Sequence, residues 1–147
     1  EQLALHPDHS PESIRYRVGA DHNLLPDDPD LTEWMDEALR VIEQFPALFS
    51  RDLRTHSELP LTYLDEGQPV YGIIDRLVIT AQQVTVIDYK THRVQNRDQA
   101  EALSGQYRSQ LLAYAKGLQR IWPDRPVKAQ LLFTALPALV DLELGQT

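Results

Sequence analysis

Three residues carry the chemistry open to this sequence: Asp75, Asp88 and Lys90. They lie in YGIIDRLVITAQQVTVIDYKTHR, residues 71–93, which reads as two β-strands joined by the polar turn Thr80-Ala81-Gln82-Gln83. Side chains of a strand alternate between its faces, so Asp75 is expected to share a face with Tyr71, Ile73, Leu77 and Ile79. By the same rule Asp88 and Lys90 share theirs with Val84 and Val86. Charge among aliphatic neighbours is costly unless something pairs it. Two aspartates on adjacent strands can supply hard oxygen ligands to Mg²⁺, which keeps several waters for chemistry. Lys90, two residues past Asp88 on the same face, can hold such a water or help deprotonate it. The plainer reading is a hairpin whose charges face solvent and need no metal. The spacing favours the first: acid-x-Lys on VIDYK stands 13 residues after the aspartate of GIIDR, and a helix bearing Tyr and Gln follows.

The elements that must position these residues can be traced along the chain. Residues 1–30, with four prolines and many acids, are expected to form an irregular or partly helical lead-in, and His6, His9 and His22 within it to be surface residues. Residues 31–50 predict an amphipathic helix capped by Asp30 or Thr32, with an apolar stripe of Trp34, Ala38, Val41, Ile42 and Phe45. Pro46 should end it, and Ala47–Leu53 begin a shorter helix. HSELPLTYL, residues 56–64, predicts a first strand on which Glu58 can approach the acidic pair, and Asp65-Glu66-Gly67-Gln68 a turn. After the two charged strands comes a polar stretch and then a helix from Gly105 to Ile121. On it Tyr107, Gln110 and Tyr114 stand at i, i+3 and i+7, beside a stripe of Leu111, Ala115, Leu118 and Trp122. Val127–Thr134 predicts a further strand and Leu139–Leu144 a last, edge strand. The order gives an α/β fold: a central mixed β-sheet flanked by helices.

Composition sets bounds. A chain of 147 residues is expected to hold one domain, and no run approaches the roughly 18 apolar residues of a membrane span. Without cysteine there is neither a disulfide nor a thiolate-held iron–sulfur cluster, which is compatible with a reducing cytoplasm. The net charge of −8 is unevenly spread. From Lys90 to Lys128 eight Lys/Arg face three acids, a local +5, leaving −13 on the remainder. Such a basic half suits either a phosphate track or a solvated helix face. A start at Glu rather than Met suggests a piece of a larger protein.

HSELPL, YGIIDRL, VIDYKTHR and YRSQLLAY together resemble successive motifs of the RecB/AddA-type nuclease domain. That family lies in the PD-(D/E)XK, restriction-endonuclease-like superfamily, and the likeness covers residues 31–147, the expected nuclease domain. It is closest to the C-terminal nuclease of UvrD-type helicase-nucleases. The resemblance implies that Asp75, Asp88 and the main-chain carbonyl of Tyr89 bind Mg²⁺ (or Mn²⁺), and that Lys90 is the catalytic lysine. It places Gln110 and Tyr114 in a Q-x-x-x-Y motif beside the active site, with Glu58 and Tyr107 supporting and Arg93 and Arg108 as DNA contacts. The implied reaction is hydrolysis of a DNA phosphodiester by water activated at the metal, in a bacterial cytoplasmic enzyme that processes double-strand breaks with a second nuclease/helicase subunit. AddB-type subunits usually carry an iron–sulfur cluster; this chain, lacking cysteine, is expected to carry none.

Two departures qualify the resemblance. The family's G-x-x-x-H motif, whose histidine adds a metal ligand, is not matched, because Gly19-Ala20-Asp21-His22 has the wrong spacing. Nor is there a Walker motif, so ATP chemistry is expected in a helicase region outside this chain. The isolated chain is therefore expected to hold metal weakly and to cut poorly. The competing expectation is a nuclease-fold module that binds DNA or a partner without cutting; a stand-alone endonuclease of the same superfamily is a third.

Overall fold

Two proline-led helices open the described part of the chain. The fold comes from a computed structural model that describes residues 8–50 and 53–145. It divides into two compact units, Glu1–Phe49 and Ser50–Thr147.

In the first unit, α1 runs over Pro11–Asp21 and α2 over Pro29–Gln44. Each has proline in its first turn, where no N–H is needed, and a capping side chain just ahead of it. Ser10 Oγ accepts from Ser13 N–H at 3.1 Å, and Asp28 Oδ1 from Asp30 N–H at 2.9 Å. The lead-in, expected to be irregular or partly helical, carries a helix of three turns. The cap of α2 is Asp28, not Asp30 or Thr32, because Pro29 pre-sets the first helical φ. The expected stripe also shifts. Ile14 of α1 packs with Leu31 and Met35 of α2, while Trp34 is 44% exposed. The face that meets α1 decides, and the helix begins early enough for Leu31 to lie on it. After Pro46 comes only a 3₁₀ turn, Pro46–Leu48, in place of a helix over Ala47–Leu53; Arg51 and Asp52 of that expectation, like His6, lie outside the described residues.

The second unit is a five-stranded sheet of β1 (Arg54–Asp65), β2 (Gln68–Ile79), β3 (Val84–Lys90), β4 (Val127–Phe133) and β5 (Ala138–Leu142). Strand order follows sequence order; β3 and β4 run parallel and every other neighbouring pair antiparallel. A parallel pair requires a crossover. Here it is α3 (Arg97–Ser104), a 3₁₀ turn at Gly105–Tyr107, and α4 (Arg108–Ile121). This is the mixed α/β architecture the sequence predicts.

Local chemistry fixes the hairpin and the helix seat. Glu66 and Gly67, with φ of 49° and 80°, form the two-residue connection between β1 and β2. Helix α4 lies on the sheet through two glycines. A Cβ on Gly72 would stand 2.3 Å from Tyr114 Cε1, and one on Gly117 would stand 2.8 Å from the Tyr63 ring. Tyr63 donates its hydroxyl to the Ala113 carbonyl at 2.6 Å, and burial raises its pKa, keeping it a donor. Leu111 and Leu118 of α4 meet Val86, Leu131 and Phe133 of the sheet in one core. Fully burying each such side chain stabilises by roughly 1.5–3 kcal/mol.

Strict alternation fails at one place on β2. Ile74 and Leu77, three residues apart, both belong to this core, whereas Tyr71 and Ile73 are 72% and 60% exposed. The expected common face of Tyr71, Ile73, Asp75, Leu77 and Ile79 is therefore broken, and the break falls at Asp75. On β1 the pairing runs through Ser57–Arg76 and Leu59–Ile74, skipping Glu58, which has φ of 51°. A left-handed residue on one strand opposite Asp75 on the next turns both strands together.

Candidate active site

Asp75 sits where β2 and β3 come apart. The β2–β3 ladder ends at Arg76–Ile87, so the next register position would set Asp75 opposite Asp88. β3 continues beside β4 through Asp88–Leu131, Tyr89–Leu132 and Lys90–Phe133. In place of a ladder bond, the Tyr89 N–H donates to Asp75 Oδ2 at 2.7 Å. Both carboxylates thus lie at the fork between diverging strands.

Asp88 is buried, 4% exposed, and its Oδ2 lies 2.5 Å from Lys90 Nζ. That contact is short but poorly aimed: among the described residues Oδ2 accepts no well-directed hydrogen bond. A buried carboxylate oxygen without a directed donor suits a hard cation, and the neighbouring Asp75 adds a second oxygen donor. The donor set is sparse. Among the described residues no three His, Cys, Asp or Glu side chains group to hold a metal. Two carboxylates with a main-chain carbonyl fit Mg²⁺, which retains several waters, better than a cation needing a full protein cage.

Lys90 is gripped on two sides. Opposite Asp88, its ammonium lies 3.9 Å from the centroid of the Tyr107 ring, and the Tyr107 hydroxyl meets His92 Nε2 at 2.9 Å. The Lys90 carbonyl accepts from Thr134 N–H at 3.0 Å, tying the end of β3 to the residue after β4.

The other expected site residues distribute unevenly. Tyr107 belongs to the 3₁₀ turn that leads into α4 rather than to the helix itself, and it packs against the same core that holds Tyr114. Tyr114 is buried against Gly72, and the exposed Gln110 donates to its hydroxyl at 3.0 Å. Among the described residues neither bonds to Asp75, Asp88 or Lys90. Glu58 is exposed, opposite Asp75 across the β1–β2 pair. Arg93 is exposed in the loop after β3, and Arg108 is exposed and donates to the Glu143 carbonyl at 2.9 Å. In the first unit, His22 packs edge-on against Trp34 at 5.8 Å. Sequence reasoning passed over His92; its signal was an imidazole two residues beyond the lysine of VIDYKTHR.

Burial raises the pKa of Asp75, and the Asp88 charge adds to this; the Tyr89 N–H and Lys90 oppose it. A raised carboxylate pKa means the folded state holds the proton more tightly. Its stabilising contribution is present below the ordinary carboxylate value of 3.8 and is lost as pH rises through the higher folded value. Asp75→Asn keeps an oxygen for the Tyr89 N–H and removes the charge. Without metal, the variant is expected to be at least as stable as wild type at pH 7, with the difference shrinking as pH falls. Thermal melts across pH 4–7 measure this, and a variant clearly less stable at pH 7 would contradict it.

The PD-(D/E)XK nuclease superfamily model matches residues 6–146. The chain belongs to that superfamily. It is also similar to the A-type subunit of the ATP-dependent helicase/nuclease of Lacticaseibacillus casei (strain BL23) and to that of Lacticaseibacillus paracasei (strain ATCC 334). Identity to each is 33% over 109 residues, or 65% of this chain. The aligned region is only 9% of either relative's length. Among the described residues no helix is long and apolar enough to cross a membrane.

Proposed function

We propose that this PD-(D/E)XK domain is a Mg²⁺-dependent deoxyribonuclease, part of an ATP-dependent helicase-nuclease that processes double-strand breaks for recombinational repair. The observation that carries the proposal is the fork. Asp75 and Asp88 meet where β2 and β3 part, and the buried Asp88 oxygen lacks a directed donor beside Lys90. The helicase/nuclease name borne by the two relatives supports the helicase context. ATP hydrolysis and the second nuclease/helicase subunit belong, on this reading, to the larger assembly.

Asp75, Asp88 and the Tyr89 carbonyl would hold Mg²⁺ or Mn²⁺. When bound, the ion supplies a Lewis acid that lowers the pKa of water and neutralises phosphate charge. The chain's own residues do the rest. Lys90, paired with Asp88, presents its positive charge to the attacking water and to the charge that grows on the phosphoryl oxygens. The Tyr89 N–H fixes the rotamer of Asp75. Gln110 and Tyr114 act as a braced pair beside the site, with Glu58 supporting from β1. Arg93 and Arg108 contact the DNA backbone, where cationic side chains position without reading sequence.

A non-cutting binding module is the competing reading, and the intact Asp75, Asp88 and Lys90 count against it. The full-length polypeptide carrying this domain, given single- and double-stranded DNA with Mg²⁺, is expected to shorten the DNA, and chelation to stop it. Retention of DNA in gel shifts with no shortening under any divalent ion would favour the binding module.

A further inference from the structure

Tyr107 and His92 form a latch around Lys90 that the nuclease reading does not by itself require. The Lys90 ammonium has a carboxylate on one side at 2.5 Å and an aromatic face on the other at 3.9 Å. A lysine stem has four rotatable bonds, so pairing with Asp88 alone would leave it several rotamers. The ring removes that freedom, because attraction to the π-face depends on the ammonium lying over it. The ring must in turn be held. Tyr107 sits in a three-residue 3₁₀ turn between α3 and α4, not within either α-helix. Its tether is the hydroxyl contact to His92 Nε2 at 2.9 Å, with the two rings edge-on at 80°. His92 follows Lys90 by two residues in the same chain segment, so the tether pins the turn before α4 to the end of β3.

We infer that Tyr107 is a positioning residue for Lys90, and that His92 orients Tyr107. The inference rests on the reading of Lys90 as the catalytic lysine. Tyr107 touches neither water nor phosphate in this role; it sets where the ammonium stands when DNA arrives. Cation–π contacts strengthen as they become desolvated, and the Lys90 side chain is 15% exposed. Removing the ring should therefore lower kcat by about tenfold, since 1.4 kcal/mol is a factor of ten. KM should stay near its wild-type value, because substrate binding does not use the ring.

The test has two arms. In the 147-residue chain, NMR should find the Lys90 ε-methylene protons shifted upfield by the Tyr107 ring current. Tyr107→Leu should abolish that shift, Tyr107→Phe should retain most of it, and His92→Ala should reduce it. In the full-length polypeptide, Tyr107→Leu should lose kcat by about tenfold and Tyr107→Phe by only about two- to threefold, at similar KM. A wild-type protein without the upfield shift would overturn the inference, as would Tyr107→Leu and Tyr107→Phe losing kcat equally. Those failures leave the nuclease reading standing wherever Lys90→Ala still abolishes cleavage. Cleavage surviving Lys90→Ala would overturn the nuclease reading, and this inference with it.

Discussion

Lys90→Ala is expected to lower the rate of DNA cleavage by about 10²–10³, the usual loss when a preorganised charge-stabilising group is removed. Lys90 brings its charge to the fork: its ammonium contacts Asp88, and its charge also acts on Asp75. The backbone should survive, since β3 keeps its pairing with β4 and the Lys90 carbonyl keeps Thr134. Stability will not be untouched. Removing the ammonium leaves the buried Asp88 carboxylate without its partner, and an unsatisfied buried polar group costs about 1–3 kcal/mol. That cost should appear in metal-free thermal melts and shrink when Mg²⁺ is added, because a cation between the carboxylates replaces the lost charge. Circular dichroism, melts with and without Mg²⁺, and single-turnover cleavage by the full-length polypeptide measure the three parts. Near-normal cleavage would make Lys90 a structural ion-pair partner and leave the mechanism without its charge-stabilising group.

Asp88→Ala is expected to weaken Mg²⁺ or Mn²⁺ binding by about a hundredfold or more, beyond the 10–100-fold typical of losing a group that only supports a ligand. Asp88 offers a buried oxygen with no directed donor, so it gains most from a cation. Asp75 alone is a poorer host, because burial already raises its pKa and one of its oxygens is committed to the Tyr89 N–H. Two carboxylates and a carbonyl leave the ion largely hydrated, so wild-type affinity in this chain should itself be modest. Isothermal calorimetry on wild type, Asp75→Ala and Asp88→Ala makes the comparison. Equal affinity in wild type and Asp88→Ala would remove the fork as a metal site.

The sequence alone determined the elements that carry the site. Period-2 alternation, the Thr80–Gln83 turn and the acid-x-Lys spacing were enough to put Asp75 on β2 and Asp88 and Lys90 on β3, in adjacent antiparallel strands. They were enough because strand periodicity and turn chemistry are local properties. The mixed sheet followed from a long helical segment lying between two strands, since that is how parallel neighbours are joined.

Other features depended on contacts between segments distant in sequence. Which face of α2 would be buried was settled by α1, since Leu31 and Met35 find Ile14 while Trp34, equally apolar in a periodicity count, does not. The break in alternation at Asp75 was invisible because it depends on Glu58, 17 residues earlier, taking a left-handed conformation opposite it. Gly72 matters only because Tyr114 crosses above it. The segment of Tyr107 tightens into a 3₁₀ turn and its ring lies over Lys90, a contact that helical spacing could not show. Spacing could bring two acids and a lysine to the ends of neighbouring strands. It could not separate those strands at Asp75 or close a ring over the lysine, because both require groups far apart in the chain to meet.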